Sequence, residues 1–133
     1  MSEIYKALII AGSMVVVDAA WLATMTSRFY KKHLGSLLAE KANFLAAGLF
    51  YAIYVVGILV IIINPALENK YSYVKTFVHG ALFGLVAYST YDLTNQATLK
   101  NWPVIVTIVD MLWGTLLTGL VSVLALRVIK ALI

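Results

Sequence analysis

The chain has 133 residues, 62% of them hydrophobic and only 12% charged, with a net charge of +4. That charged share is about half of what a soluble domain carries, and a soluble fold this small has no interior large enough to hide so much apolar surface. Cysteine is absent and only His33 and His79 supply imidazole, so disulfides and thiolate chemistry are excluded and no metal centre or other cofactor is expected.

An apolar helix needs about 20 residues to cross the hydrocarbon core. Residues 4–25 form the first such run. It is too long for a secretory leader, carries Asp18 near its end and has no small-residue cleavage site, so it reads as a retained span. In residues 27–41, Tyr30, His33, Leu34, Leu37 and Leu38 recur at helical spacing beside Arg28, Lys31, Lys32 and Lys41. That pattern predicts a short basic helix on the membrane surface; an ordinary polar connector is the plainer alternative. The second run covers residues 42–63 and is expected to stop at Asn64-Pro65, because the residue before a proline is pushed out of the helical region. A polar loop follows, with Tyr71 and Tyr73 as interface anchors. The third run covers residues 74–97. The fourth covers residues 102–132, opening on Trp102-Pro103 with proline suited to a first turn and Trp102 as an interfacial anchor. The short connection at Lys100-Asn101 makes the third and fourth helices antiparallel neighbours.

The expected fold is therefore all-α: one domain over residues 1–133, an integral membrane bundle of four antiparallel transmembrane helices with a short basic interfacial helix between the first and second. Orientation does not follow from charge. Lys6, Lys70, Lys75, Arg127 and Lys130 lie towards the end of the bundle that carries both termini, and Arg28, Lys31, Lys32, Lys41 and Lys100 towards the other, five against five. All of them flank apolar runs, where basic residues meet lipid headgroups, so nucleic acid is not an expected partner.

Three acids fall inside the predicted spans: Asp18, Asp92 and Asp110. Each costs roughly 2.5–3.5 kcal/mol at a helix centre, so each should face other helices or a wet cavity. Each also lies about six to eight residues from the end of its span remote from the termini, which at 1.5 Å per residue sets all three at one depth, about 9–12 Å below that surface. Helical phase adds partners to this layer. The third helix aligns Gly80, Gly84, Tyr88, Asp92 and Asn95 on one stripe. The second aligns Asn43, Ala47, Tyr51 and Tyr54. The fourth groups Thr107, Asp110, Trp113, Gly114 and Thr118, and the first sets Trp21 and Met14 beside Asp18. With no Lys or Arg at the same depth, three neighbouring carboxyls cannot all stay charged, and at least one is expected to hold a proton near neutrality. A bland reading stands beside the functional one: the tyrosines serve only to bridge the acids, the glycines to let helices pack closely, and His79 to fill the opposite face.

The stretch Tyr88-Ser89-Thr90-Tyr91-Asp92-Leu93-Thr94-Asn95, with Asp18-x-x-Trp21-Leu22, Phe50-Tyr51-x-x-Tyr54, Asn101-Trp102-Pro103 and Asp110-x-x-Trp113-Gly114, resembles a family of bacterial membrane proteins catalogued as domain of unknown function 2177. The resemblance covers almost the whole chain. It implies four spans in a bacterial inner membrane and an association with membrane-lipid modification, and it carries no activity. Three function classes remain. In the first, the layer binds a lipid or small amphipathic molecule, with Tyr51, Tyr54, Tyr88 and Trp113 as walls and Asp18, Asp92, Asn95 and Asp110 as polar contacts, in an accessory role to membrane-lipid metabolism. In the second, the charge tie reflects dual insertion, and a homodimer exchanges protons for a small cation. In the third, a protonated carboxyl acts as general acid in a lipid-modifying enzyme; no nucleophile–base pair is visible, and no catalytic residue is assigned.

Overall fold

The computed structural model describes residues 1–133 and is all-α, built from four helices: α1 (Glu3–Leu37), α2 (Phe44–Glu68), α3 (Tyr73–Thr98) and α4 (Val104–Leu132). Side-chain caps open the first three. Ser2 accepts from the Tyr5 amide, Asn43 from Ala46 and Ser72 from Lys75, each satisfying a backbone donor that the first turn leaves free. Pro103 stands at the cap position of α4, one residue outside the helix, rather than inside its first turn.

Two boundaries differ from expectation for one reason. Neither α1 nor α2 stops where its apolar run ends; each passes through a π-helical turn and goes on. In α1 the wide turn spans Thr26–Tyr30, where the Lys31 amide bonds the Thr26 carbonyl, and helix continues to Leu37. The expected separate basic helix is thus an extension of α1, and residues 38–43 are non-helical. In α2 the wide turn spans Leu59–Ile63, and the helix runs through Asn64-Pro65 to Glu68. Proline lacks an amide hydrogen and its ring crowds the carbonyl four residues back; a wider turn just before Pro65 relieves both, so the helix does not break there.

Helix α4 occupies the centre and contacts the other three, its longest interface being with α3. That interface is made by small residues. Gly80 and Gly84 of α3 face Gly114, Thr118 and Ser122 of α4, which recur at four-residue spacing. A methyl group added to Gly80 would stand 2.7 Å from the Thr118 carbonyl oxygen, and one on Gly84 would overlap the Gly114 carbonyl. The hydroxyls in this seam turn back onto their own helix, Thr118 to the Gly114 carbonyl at 2.8 Å and Ser122 to the Thr118 carbonyl at 2.7 Å, so no polar group obstructs the approach. Gly80 meets Ser122 while Tyr88 meets Gly114, so the two helices run in opposite directions.

The apolar core lies in the half of the bundle that holds the termini: Ile10 and Met14 from α1, Ile58, Ile62 and Ala66 from α2, and Leu117, Val121, Ala125 and Ile129 from α4. At that end Lys6 donates to Asn64 at 2.6 Å and Asn64 donates to Glu3 at 2.8 Å, tying α1 to the last turn of α2. Only 27 of 133 residues are buried, and the outer surface is studded with apolar side chains such as Phe44, Ile53, Val74 and Leu112. Water would not tolerate that surface, whereas hydrocarbon does. Helices α1, α2 and α4 are each long and apolar enough to cross a membrane. Helix α3, at 26 residues, is long enough but more polar, because it carries the Tyr88–Gln96 segment.

Candidate functional site

The half of the bundle away from the termini holds the three intramembrane acids. Asp18 of α1 is 8% exposed and accepts a hydrogen bond from the Tyr51 hydroxyl of α2. Asp92 of α3 is fully buried, and neither of its oxygens receives a hydrogen bond from a donor group. Asp110 of α4 accepts from the Tyr30 hydroxyl at 2.7 Å, and the same hydroxyl accepts from Trp21 Nε1 at 3.1 Å.

Tyr30 reaches this position because of the π turn at Thr26–Tyr30. One extra residue in the turn rotates the extension so that Tyr30 and Leu34 face inward while Arg28, Lys31 and Lys32 stay exposed. The extension thereby covers a cavity of about 340 Å³. Asp18, Trp21, Leu22 and Thr26 of α1 form one wall, Tyr30, Leu34 and Leu38 the cover, Tyr88 and Tyr91 of α3 a second wall, and Trp102 with Val106, Asp110 and Trp113 of α4 the remainder. A second cavity, of about 350 Å³, lies on the far side of Tyr88 and Tyr91, where Phe50, Tyr54 and Ala87 line it together with the same two tyrosines and Asp110. Asp110 thus borders both spaces. A larger hollow at the chain ends, lined by Met1, Tyr5, Leu8, Ile9, Leu132 and Ile133, has no acid or base in it.

Most residues singled out from the sequence meet here, with distinct roles. Trp21 and Trp113 stack at 4.2 Å. Tyr88 separates the two cavities. Tyr54 is buried, shares a hydrogen bond of 2.8 Å with Thr118 and lines the second cavity. Tyr51 is engaged by Asp18 and lines neither. Asn95 falls outside: it lies about one turn beyond Asp92 and borders neither cavity. Trp102 is not an exposed interface anchor but 9% exposed, its Nε1 donating to Thr107 at 3.0 Å while Thr107 donates to Gln96 at 2.9 Å. His79 packs edge-on against Tyr71, away from the acids, as its helical phase predicts.

Tyr30 and Tyr91 are the two residues that sequence reasoning missed. Tyr91 had a usable signal, being adjacent to Asp92 at the same depth. Tyr30 had a partial one, sharing a helical stripe with Leu34 and Leu38, but its reach into the bundle depends on a π turn that periodicity at 3.6 residues does not reveal. Chemically the site offers carboxyl oxygens, phenols and indole groups between apolar walls.

No curated protein and no solved structure matches the chain. A family described as "Predicted membrane protein (DUF2177)" matches residues 4–127, and the chain belongs to that family of membrane proteins.

Proposed function

We propose that this chain is a four-span membrane protein that holds a lipid or other small amphipathic molecule in the cavity beneath the α1 extension, in an accessory role to membrane-lipid metabolism. The observation that carries the reading is the cavity itself. Its walls are aromatic and aliphatic, while Asp18 and Asp110 present carboxyls on two sides, the mix of broad apolar lining and few polar groups that suits an amphiphile. The four-span arrangement draws support from the faces of α3. Its exposed side chains include Val74, Val78, Leu82, Leu85, Val86 and Leu93, and Asp92 points inward, so part of its low hydropathy comes from its buried stripe. The exposed Thr90 hydroxyl bonds the Val86 carbonyl at 2.7 Å, leaving no free donor towards lipid. Arg28, Lys31 and Lys32 on the outer side of the extension suit anionic headgroups at the membrane surface. A bacterial inner membrane is the location that the family resemblance implies.

The test is native mass spectrometry of protein released gently from its own membrane. Wild-type protein is expected to retain a defined lipid or small molecule, and the double variant Leu34→Trp, Leu38→Trp, which crowds the cavity from its cover, to lose it while keeping its helical circular-dichroism spectrum. Protein that is empty in every preparation overturns the reading.

A further inference from the structure

The charged groups around the cavity are of one sign. Tyr51 supplies one hydrogen bond to Asp18 and Tyr30 supplies one to Asp110, each to a single oxygen. The second oxygens of Asp18 and Asp110 receive no hydrogen bond within the chain, and both oxygens of the fully buried Asp92 receive none. No Lys, Arg or His lines either cavity, so no cationic side chain stands opposite these carboxyls. The rest of the wall points the same way. Trp21, Trp113, Tyr88 and Tyr91 present indole and phenol groups to the space, and the negative face of such a ring attracts cations, by up to about 2 kcal/mol or more where water is excluded. An anionic headgroup would meet bare carboxylates and electron-rich ring faces. A neutral polar group would leave the charge unanswered in a medium of low dielectric, where an unpaired charge is costly.

We infer that the ligand of this cavity is a cationic amphiphile, whose ammonium group sits between Asp18 and Asp110 against the aromatic walls of Trp21, Trp113, Tyr88 and Tyr91. This rests on the occupied-cavity reading above and adds the chemical class of the occupant. The ammonium hydrogens complete the free oxygens of Asp18 and Asp110, and the alkyl portion leaves past Leu34 and Leu38 beneath the α1 extension.

The experiment uses the full chain in nanodiscs of zwitterionic lipid and three probes that share an eight-carbon chain: octylammonium, octanol and octanesulfonate. Fluorescence of the Trp21–Trp113 pair is followed at constant ionic strength. Octylammonium is expected to give a saturable change with an apparent affinity at least about tenfold tighter than octanol, and octanesulfonate none. Asp110→Asn, which keeps an oxygen for Tyr30 but removes the charge, is expected to bring octylammonium down to the level of octanol. Asp18→Asn offers the same comparison if Asp110→Asn fails to fold, and the order of the three probes on the wild-type protein decides in either case. Saturable binding of octanol or octanesulfonate as tight as that of octylammonium overturns the cationic class and leaves the occupied cavity standing. No saturable response to any of the three overturns both.

Discussion

Trp21 of α1 and Trp113 of α4 lie face to face, their ring centroids 4.2 Å apart and their planes 5° from parallel. The two rings are alike in packing and opposite in hydrogen bonding. Trp21 donates its Nε1 hydrogen to Tyr30, whereas Trp113 Nε1 is buried and has no partner. Replacing either by Phe forfeits part of a stack worth about 0.5–1.5 kcal/mol. Trp113→Phe also removes an orphaned donor whose burial costs about 1–3 kcal/mol, so its net effect is expected to lie near zero or to be stabilising. Trp21→Phe removes a satisfied donor and leaves Tyr30 with one bond fewer, and is expected to destabilise by about 1–2 kcal/mol. Thermal unfolding followed by near-ultraviolet circular dichroism separates the two. Equal losses from both variants would show that the Trp113 indole nitrogen is satisfied in solution.

The close seam between α3 and α4 sets a sharp contrast among glycines. A methyl group at Gly84 overlaps the Gly114 carbonyl, and one at Gly114 overlaps the Tyr88 ring, whereas at Gly12 or Gly48 it meets nothing. Gly84→Ala and Gly114→Ala are expected to lower stability by about 1–3 kcal/mol, the usual cost of overpacking. Gly48→Ala, in the interior of α2 with open space before it, is expected to raise stability by up to about 1 kcal/mol through helix propensity. Melting temperatures of the three variants in one detergent check the sign at each site. Destabilisation by Gly48→Ala equal to that by Gly84→Ala would contradict the assignment of the seam.

How much of this was legible in the sequence depends on which physical signal carried it. The apolar runs gave the helices, and the common depth of Asp18, Asp92 and Asp110 placed the acids in one half of the bundle. The i+4 spacing of Gly80 and Gly84 gave the packing stripe. What failed to show were departures from ideal helical period. The π turns at Thr26–Tyr30 and Leu59–Ile63 carry no Gly or Pro of their own, so neither the inward Tyr30 nor the continuation through Pro65 could be read. Asn95 was assigned by phase alone; it keeps the right face but lies about one turn too far along α3 to reach the cavity. Trp102 looked like an interface residue because it begins a helix, and its burial depends on Thr107 and Gln96, a contact across the α3–α4 connection that local pattern does not encode.

The α1 extension is held to the bundle through Tyr30. Its hydroxyl joins Trp21 to Asp110, while the basic residues around it face outward. Removing that hydroxyl should therefore loosen the cover without disturbing the span beneath it. Tyr30→Phe is expected to speed amide hydrogen exchange across Thr26–Leu37 by about tenfold, equivalent to the loss of one charge-assisted hydrogen bond of about 1.4 kcal/mol, and to leave Glu3–Met25 unchanged. Uniform acceleration along all of α1 would mean that the two parts open together and that the extension is not a separable cover.

Asp92 offers the most direct separation of stability from function. Fully buried and without a donor to either oxygen, it costs the fold free energy that a different side chain would not. Asn at this position has nearly the same shape and carries no ionisable group. Asp92→Asn is therefore expected to raise the stability of the purified protein by about 1–2 kcal/mol, through relief of a buried carboxyl that has no donor. The same change removes one carboxyl from beneath the cavity, so binding of octylammonium should weaken even as the melting temperature rises. Opposite movement of the two readouts identifies Asp92 as a residue kept for binding rather than for stability. A fall in melting temperature would instead show that the Asp92 carboxyl makes a bond within the bundle that the amide does not replace.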